Sequence, residues 1–320
     1  DTDSANAGMC CTMAFWRVSG KSDRRALHLR LMRCTLGLFC KTRYAAHIYN
    51  KENKMKKLIA KRLYAELYDI RVSDWEGEVD FYRGLILNSD LKSQGVLEVA
   101  CGTGRVTMQL AKEEIDITGL DISSELLEIA QAKSVGMSNV KWILNDMKRF
   151  EIDTKFGFAI MPGHSFQFMN SPDEQVKCLE QIKQHLVADG LLVMHLDHQD
   201  FGWLAKLPNK KELVYKQGRI LTHPTTNLQY RPSSAWSFEP STQTATVKTN
   251  WEEVDRKENV TQIWEMEPKQ LHCVFRFEME HLLKRAGFSI EAVYGDFFKN
   301  KLTDESEEMI WVAKNTGDLK

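Results

Sequence analysis

Val96-Leu97-Glu98-Val99-Ala100-Cys101-Gly102-Thr103-Gly104-Arg105 is the stretch on which the reading of this chain turns. An apolar, β-prone run carries a carboxylate and then breaks into a turn of small residues. Val106, Leu110 and Ala111 follow at helical spacing with no proline among them, so the order predicted is strand, glycine turn, helix over about 104–113. That is the layout of a nucleotide-type site in a doubly wound sheet. The glycines let backbone approach a ligand closely, and a helix start offers free N–H groups.

Outward from this stretch the chain alternates. Ile115 to Asp121 predicts a second strand ending in a carboxylate. Ser123-Ser124 then N-cap a helix through Leu126, Leu127, Ile129 and Ala130, with Glu125 and Glu128 in its first turn. Val140 to Leu144 predicts strand three, followed by Asn145-Asp146-Met147. Phe156 to Met161 predicts strand four, closed by Pro162-Gly163-His164. Ser171-Pro172-Asp173-Glu174 opens a helix to about Val187, with Pro at its first position. Asp189-Gly190 then turns into strand five, Leu191 to Leu196. Strict alternation means α/β with a parallel sheet. Residues 212–276 break it, being rich in Thr, Val, Tyr and Trp with period two. They contain turns at Glu239-Pro240-Ser241-Thr242 and Arg256-Lys257-Glu258-Asn259, and read as an inserted antiparallel sheet. A helix from Phe277 to Ala286, stopped by Gly287, restores the alternation. Strands six (Phe288 to Tyr294) and seven (Met309 to Ala313) follow. Ahead of the first strand, residues 55–70 read as an amphipathic helix bearing Tyr64 and Tyr68. A loop with Trp75 and a second helix through Val79, Tyr82 and Ile86 come next, placed to cover the site.

The 320 residues carry a net charge of −1, which gives no electrostatic case for nucleic acid or membrane as the main partner. The seven Cys include no C-x-x-C pair, and this pattern points to a reducing compartment. No run of about eighteen apolar residues exists to span a bilayer. Residues 1–54 differ in kind: between Ser4 and Lys51 Asp23 is the only acid, among many Arg and Lys. They read as a transit peptide, as a basic arm for RNA or an acidic partner, or as a poorly ordered tail outside the working protein. The last is favoured, because the chain starts at Asp1 and Met55-Lys56-Lys57-Leu58 resembles an ordinary protein start. The expected organisation is thus a basic extension over 1–54, an α/β domain over 55–200 and 277–314, and an inserted β subdomain over 201–276. A cytoplasmic location is expected, or a mitochondrial one if 1–54 is a transit peptide.

In an open α/β sheet the ligand lies at the carboxyl ends of the strands. Here those ends present Glu98, Ala100 to Gly104, Asp121, Asn145 to Met147, Met161 to Ser165 and His195 to Asp197. Asp121, 17 residues past Gly104, is placed to accept hydrogen bonds from both hydroxyls of a ribose; alone it also reads as a helix-capping aspartate. The third glycine of a dinucleotide fingerprint is missing after Gly104, and no phosphate loop is present. Glu98 would repel phosphates but suits a cationic amino group. These residues favour an adenosine-type ligand carrying an amino acid.

Glu98-Val-Ala-Cys-Gly-Thr-Gly-Arg, Thr118-Gly-Leu-Asp121-Ile-Ser, Asn145-Asp146-Met147 and the late helix–strand–strand ending resemble class I S-adenosylmethionine-dependent methyltransferases, over about 60–314. The nearest likeness is to small bacterial-type enzymes with an antiparallel insertion after strand five. The resemblance implies a Rossmann-like sheet of seven mostly parallel strands, the last antiparallel, with S-adenosyl-L-methionine as cofactor. It implies that the backbone of Ala100, Cys101, Gly102, Thr103 and Gly104 holds the methionine part, with Glu98 nearby. Asp121 would hold the ribose, Ile122 the adenine, Asp146 the adenine amino group and Met147 its face. Met161 would supply a carbonyl, and Tyr68 and Trp75 would close over the cofactor. The family usually has Gly where Ala100 stands; a methyl group fits there if the backbone angle is ordinary. No metal is implied.

The expected reaction is in-line methyl transfer to an N or O nucleophile of a small-molecule acceptor, with the inserted sheet as its lid. His164 and His195 are candidates to deprotonate the acceptor, and each also reads as a satisfied strand-end histidine. Phe166, Trp203, Tyr230 and Trp236 would wall the acceptor pocket or belong to the core. Two other readings are an RNA or protein side-chain methyltransferase and a non-catalytic cofactor- or partner-binding module. Met161-Pro162-Gly163-His164 lacks the Asn/Asp-Pro-Pro-Tyr/Phe motif of amide or base-nitrogen enzymes. A monomer or homodimer is expected.

Overall fold

The computed structural model describes residues 52–208 and 212–317, so the expectation for the N-terminal tail falls on residues outside those described. The chain divides into two units, Asp1–Lys54 and Met55–Lys320, and the architecture that positions the site lies in the second. Residues 55–66 are helical (α1), followed by α2 (Tyr68–Arg71) and α3 (Glu78–Leu87). Then come β1 (Val96–Val99), α4 (Thr107–Leu110), β2 (Ile117–Asp121), α5 (Ser124–Lys133), β3 (Val140–Leu144), β4 (Phe156–Met161), α6 (Pro172–Gln184) and β5 (Leu186–Asp197). After α7 (Phe201–Lys206) the chain forms β6 (Lys216–Gln217), β7 (Leu221–Thr222), β8 (Gln229–Glu239), β9 (Thr244–Val254), β10 (Val260–Glu265) and β11 (Lys269–His272). It ends with α8 (Arg276–Arg285), β12 (Phe288–Tyr294) and β13 (Glu308–Asn315).

The main sheet has the order β12-β13-β5-β4-β1-β2-β3. Strands β1 to β5 are parallel to one another, and β13 runs antiparallel to both β5 and β12. Every residue of β1, β2 and β4 is buried, as expected of strands covered on both faces. One face packs Leu97, Ala159, Met161 and Met194 against Leu179 and Ile182 of α6 and Leu283 of α8. The other packs Val96, Phe158, Ile160, Val193 and Ile310 against Val79, Tyr82 and Ile86 of α3. Strand order reverses between β1 and β4, so the carboxyl ends of those two strands open the crevice where ligands bind. Because β13 is antiparallel, its first residue, Glu308, pairs with Asp197 and lies at that same edge.

The second sheet is built on the long antiparallel pair β8 and β9, with β10 and β11 on β9 and β6 and β7 on β8. The two expected turns join β8 to β9 and β9 to β10. Part of its core comes from elsewhere: Leu63 and Leu67 pack with Leu221, Tyr230 and Trp251. Phe166 and Tyr230, weighed above as pocket walls, are core residues. Trp203 and Trp236 meet edge to face. Among the described residues, no helix is long and apolar enough to cross a membrane.

Two elements differ from expectation. Strand five begins at Leu186 rather than Leu191. Asp189 takes a left-handed conformation (φ 61°) and the register with β4 shifts between Phe156 and Phe158, so the Asp189-Gly190 turn is a bulge inside a longer strand. The helix after the glycine turn is one α-turn, Thr107–Leu110, and a 3₁₀ turn, Ala111–Glu113. Residues 101–105 are used by the turn itself.

Candidate active site

Ala100 leaves β1 at φ 59°, with Gly102 and Gly104 also left-handed at φ 58° and 74°. The backbone angle at Ala100 is therefore not ordinary, and the tolerance expected for its methyl group is corrected: the position strains any residue with a Cβ. Ala100→Gly is expected to stabilise the protein by about 1 kcal/mol and to raise its melting temperature by about 2–4 °C, read by thermal denaturation; a lower melting temperature would contradict the strain.

The turn's N–H groups are largely satisfied within the protein. Cys101 N–H donates to Leu120 O (3.0 Å), Gly104 N–H to Cys101 O (2.9 Å) and Gly102 N–H to Asp121 Oδ2 (2.8 Å). Room for the turn comes from Gly119 in β2. A Cβ there would stand 2.6 Å or less from the Trp142 ring and 2.9 Å from Cys101 Sγ, and one at Gly104 would meet the same ring. Cys101 is buried, and burial pushes its thiol up, so it packs rather than reacts.

Asp121, 7% exposed, also accepts from Ser123 N–H through Oδ1 (2.8 Å). Each carboxylate oxygen keeps a second lone-pair site, so two further hydroxyl donors are accommodated. Tyr68 covers this end. Its ring lies 4.0 Å from where a Gly102 Cβ would be, and burial pushes its hydroxyl up to about 12. Lys269 of β11 reaches across from the inserted sheet, with Nζ 3.6 Å from the Tyr64 ring centre and its charge felt at Asp121. Ile122, 71% exposed, stands free beside Asp121. Asp146 and Met147 begin the loop after β3; Asp146 accepts from Lys148 N–H (3.0 Å), and Met147 rests half-buried against the main core. Met161 is fully buried and its side chain belongs to that core.

Glu98 sits beneath the turn, 2% exposed, and accepts a hydrogen bond from the Thr107 hydroxyl. Burial pushes its carboxyl up to about 7. A proton held in the fold to about pH 7, but released near 4.5 once the chain unfolds, gives stability that is full below about pH 4.5 and falls as pH rises through 7. Between pH 5 and 8 the wild type should lose on the order of 2–3 kcal/mol more stability than Glu98→Gln. Chemical denaturation at the two pH values checks this, and parallel losses in both proteins would refute it.

Two straps tie the cover to the turn. Asp69 accepts from the Thr103 hydroxyl and pairs with Lys133, whose Nζ also donates to Thr103 O (3.0 Å). Arg105 forks onto Glu78, which is 0% exposed (Nη2 to Oε1, 3.0 Å). It also pairs with Asp74 and lies 5.2 Å from the Trp75 ring centre.

Trp75 leads to the second half of the site. Its Nε1–H donates to Glu308 Oε1 (2.8 Å), and its ring meets His195 and His164 edge-on at 4.8 and 5.3 Å. His195 Nε2 and His164 Nε2 lie 2.7 and 2.6 Å from Glu308 Oε2. The two histidines proposed from sequence are thus neighbours, and Glu308 is the residue that sequence reasoning missed. Burial pushes the Glu308 carboxyl up, but hydrogen bonds from both imidazoles outweigh it and hold it down at about 2. His195 is 0% exposed, and burial lowers it, so it stays neutral. His164 holds φ 62°, a strained angle of the kind that accumulates at functional sites. Two histidines and a carboxylate are also a metal-ligand set. However, the Gly163 N–H points at His195 Nδ1 (3.3 Å). That nitrogen is an acceptor, so Nε2 carries the proton and has no lone pair for a metal.

Comparison with known proteins agrees with this fold. Residues 96–190 match the model of a methyltransferase domain. A Bacillus subtilis (strain 168) protein named as a methyltransferase, YqeM, is 22% identical over 239 residues, 72% of this chain and 88% of its own length. The dTDP-3-amino-3,6-dideoxy-alpha-D-glucopyranose N,N-dimethyltransferase of Streptomyces fradiae is 28% identical over 136 residues, 41% of this chain and 51% of that protein. The crystal structure of an S-adenosylmethionine-dependent methyltransferase from Clostridium acetobutylicum ATCC 824 has the same fold. Its TM-score is 0.65 at 18% identity, over 84% of this chain and 100% of that one. The fold is that of class I S-adenosylmethionine-dependent methyltransferases, and residues 96–190 carry a methyltransferase domain. S-adenosyl-L-methionine is its cofactor. The residues present fit it: two free acceptor sites on Asp121, an apolar Ile122 left bare beside it, and a left-handed Gly102 that presents bare backbone to the Tyr68 ring.

Proposed function

We propose that the enzyme methylates a nitrogen or oxygen nucleophile of a small molecule, bound over the ends of β4, β5 and β13 beneath the inserted sheet. The observation that carries this reading is the His164–His195–Glu308 cluster. It lies on the far side of the switch point from Asp121, where an acceptor would face the methyl donor. In this reading Tyr68, Trp75, Glu98, Ala100 to Gly104, Asp121, Ile122, Asp146, Met147 and Met161 hold the cofactor, which supplies an electrophilic methyl on a good leaving group. The protein's part is proximity and orientation, with His164 receiving the acceptor's proton. The ionised Glu308 and the Trp75 ring suit an acceptor that arrives as an ammonium ion, in keeping with the amino-sugar substrate in the name of the Streptomyces fradiae relative. A screen of amines, phenols, carboxylates and thiols, read by S-adenosylhomocysteine release, should return an amine or hydroxyl compound. Turnover with RNA or protein alone would overturn the small-molecule reading.

A further inference from the structure

Three N–H groups converge on one carboxylate at this edge. Trp75 Nε1 donates to Glu308 Oε1, while His164 Nε2 and His195 Nε2 share Oε2. The proton positions follow from elimination. Two lone pairs cannot face each other at hydrogen-bond distance, so a proton lies between ionised Oε2 and each Nε2. His195 Nδ1 accepts from Gly163 N–H, which leaves His195 neutral with its proton on Nε2. The 3.0 Å separation of the two Nε2 atoms is then the spacing of two donors on one acceptor and not a bond between them. For His164 the remaining atom is Nδ1. It has no hydrogen-bond partner within the described residues and is not among the fully buried polar atoms that lack one, so it is reached by solvent. The His164 N–H donates to His195 O (3.2 Å) and fixes the backbone that carries the ring.

We propose that Glu308 is a positioning residue that holds His164 as its Nε2–H tautomer, so that the Nδ1 lone pair faces the acceptor; His195 and Trp75 lock Glu308 in place. This rests on the small-molecule reading above and adds the atom that takes the proton. An acceptor that arrives as an ammonium ion first passes one proton to His164 Nδ1, and the imidazolium is neutralised by Glu308 through Nε2–H. The freed lone pair then forms its bond to the methyl carbon while the sulfur–carbon bond breaks with its electron pair staying on sulfur. The proton leaves to solvent from Nδ1. The other charged groups around the ring are Asp197 on β5, which burial pushes up, and Glu78 and Arg105, which pair with each other.

Nitrogen-15 NMR of histidine-labelled wild-type protein tests the tautomer without any acceptor. His164 and His195 should both show a protonated Nε2 and a bare Nδ1 at pH 8, assigned by loss of the signals in His164→Gln and His195→Gln. In Glu308→Gln the His164 signal should become a mixture of tautomers, since the carboxylate that fixes the proton on Nε2 is gone. Affinity for S-adenosylmethionine, measured by calorimetry, should change less than threefold. A His164 that is protonated on Nδ1 in the wild type overturns the proposal, as does stoichiometric Zn²⁺ binding that removes both Nε2–H signals. If Glu308→Gln does not fold, the wild-type spectrum decides alone. A correct tautomer with turnover confined to RNA or protein would leave this inference standing and remove the small-molecule reading.

Discussion

Asp121→Asn should weaken S-adenosylmethionine binding by about 10²- to 10³-fold. The two oxygens of Asp121 each accept a backbone N–H at 2.8 Å, one from Gly102 and one from Ser123. An asparagine can offer oxygen to only one of them, and its NH₂ would then face the other N–H. The glycine turn would shift, and the acceptor sites for two ribose hydroxyls would be lost along with the charge. Hydrogen bonds to a charged group contribute roughly 1.5–3 kcal/mol each, so two of them account for at least the two decades predicted. Isothermal calorimetry reads the effect directly. A dissociation constant within about threefold of wild type would mean that Asp121 serves only the turn.

Arg105→Met should cost about 3 kcal/mol of stability, lowering the melting temperature by roughly 10 °C. The cause lies in what it leaves behind. Glu78 is fully buried, and the Arg105 fork is its charge partner; an uncompensated buried carboxylate is far more costly than the intact pair is favourable. Glu78→Gln combined with Arg105→Met should recover most of the loss, giving a large coupling in a double-mutant cycle. Cofactor affinity should drop with the single variant, because Arg105 also holds Asp74 and the Trp75 ring. Additive losses in the cycle would show that the pair is incidental.

How much of this was legible beforehand depended on the range of the interactions. The strands at the crevice were readable because they are punctuated locally: β3 and β4 have the ends expected, and Ser123 and Ser171 cap their helices as their sequences suggest. The Asp189 bulge was misread because a left-handed residue before glycine signals a turn equally well inside a strand and ahead of one. Ala100 does not itself announce its φ of 59°, since any residue with a Cβ disfavours that angle; the glycine usual at this place in the resembled family was the available signal. His164 and His195 were found from their strand ends, 31 residues apart, but Glu308 lies 113 residues beyond His195 in a polar stretch where one acid looks like another. An acidic residue opening the last, antiparallel strand was the available signal. It gained meaning only when the sheet order brought β13 beside β5.

The core shared by Leu63, Leu67, Leu221, Tyr230 and Trp251 bears on how acceptor preference could be re-engineered. The inserted sheet looks in sequence like a cassette that begins and ends within β6–β11, ready to be exchanged between related enzymes. Its apolar floor, however, belongs to a helix encoded some 150 residues earlier. A chimera that swaps β6–β11 alone would set a foreign sheet on a mismatched α1 and bare the indole of Trp251. A transplant of specificity has to carry α1 and the sheet as one inheritance.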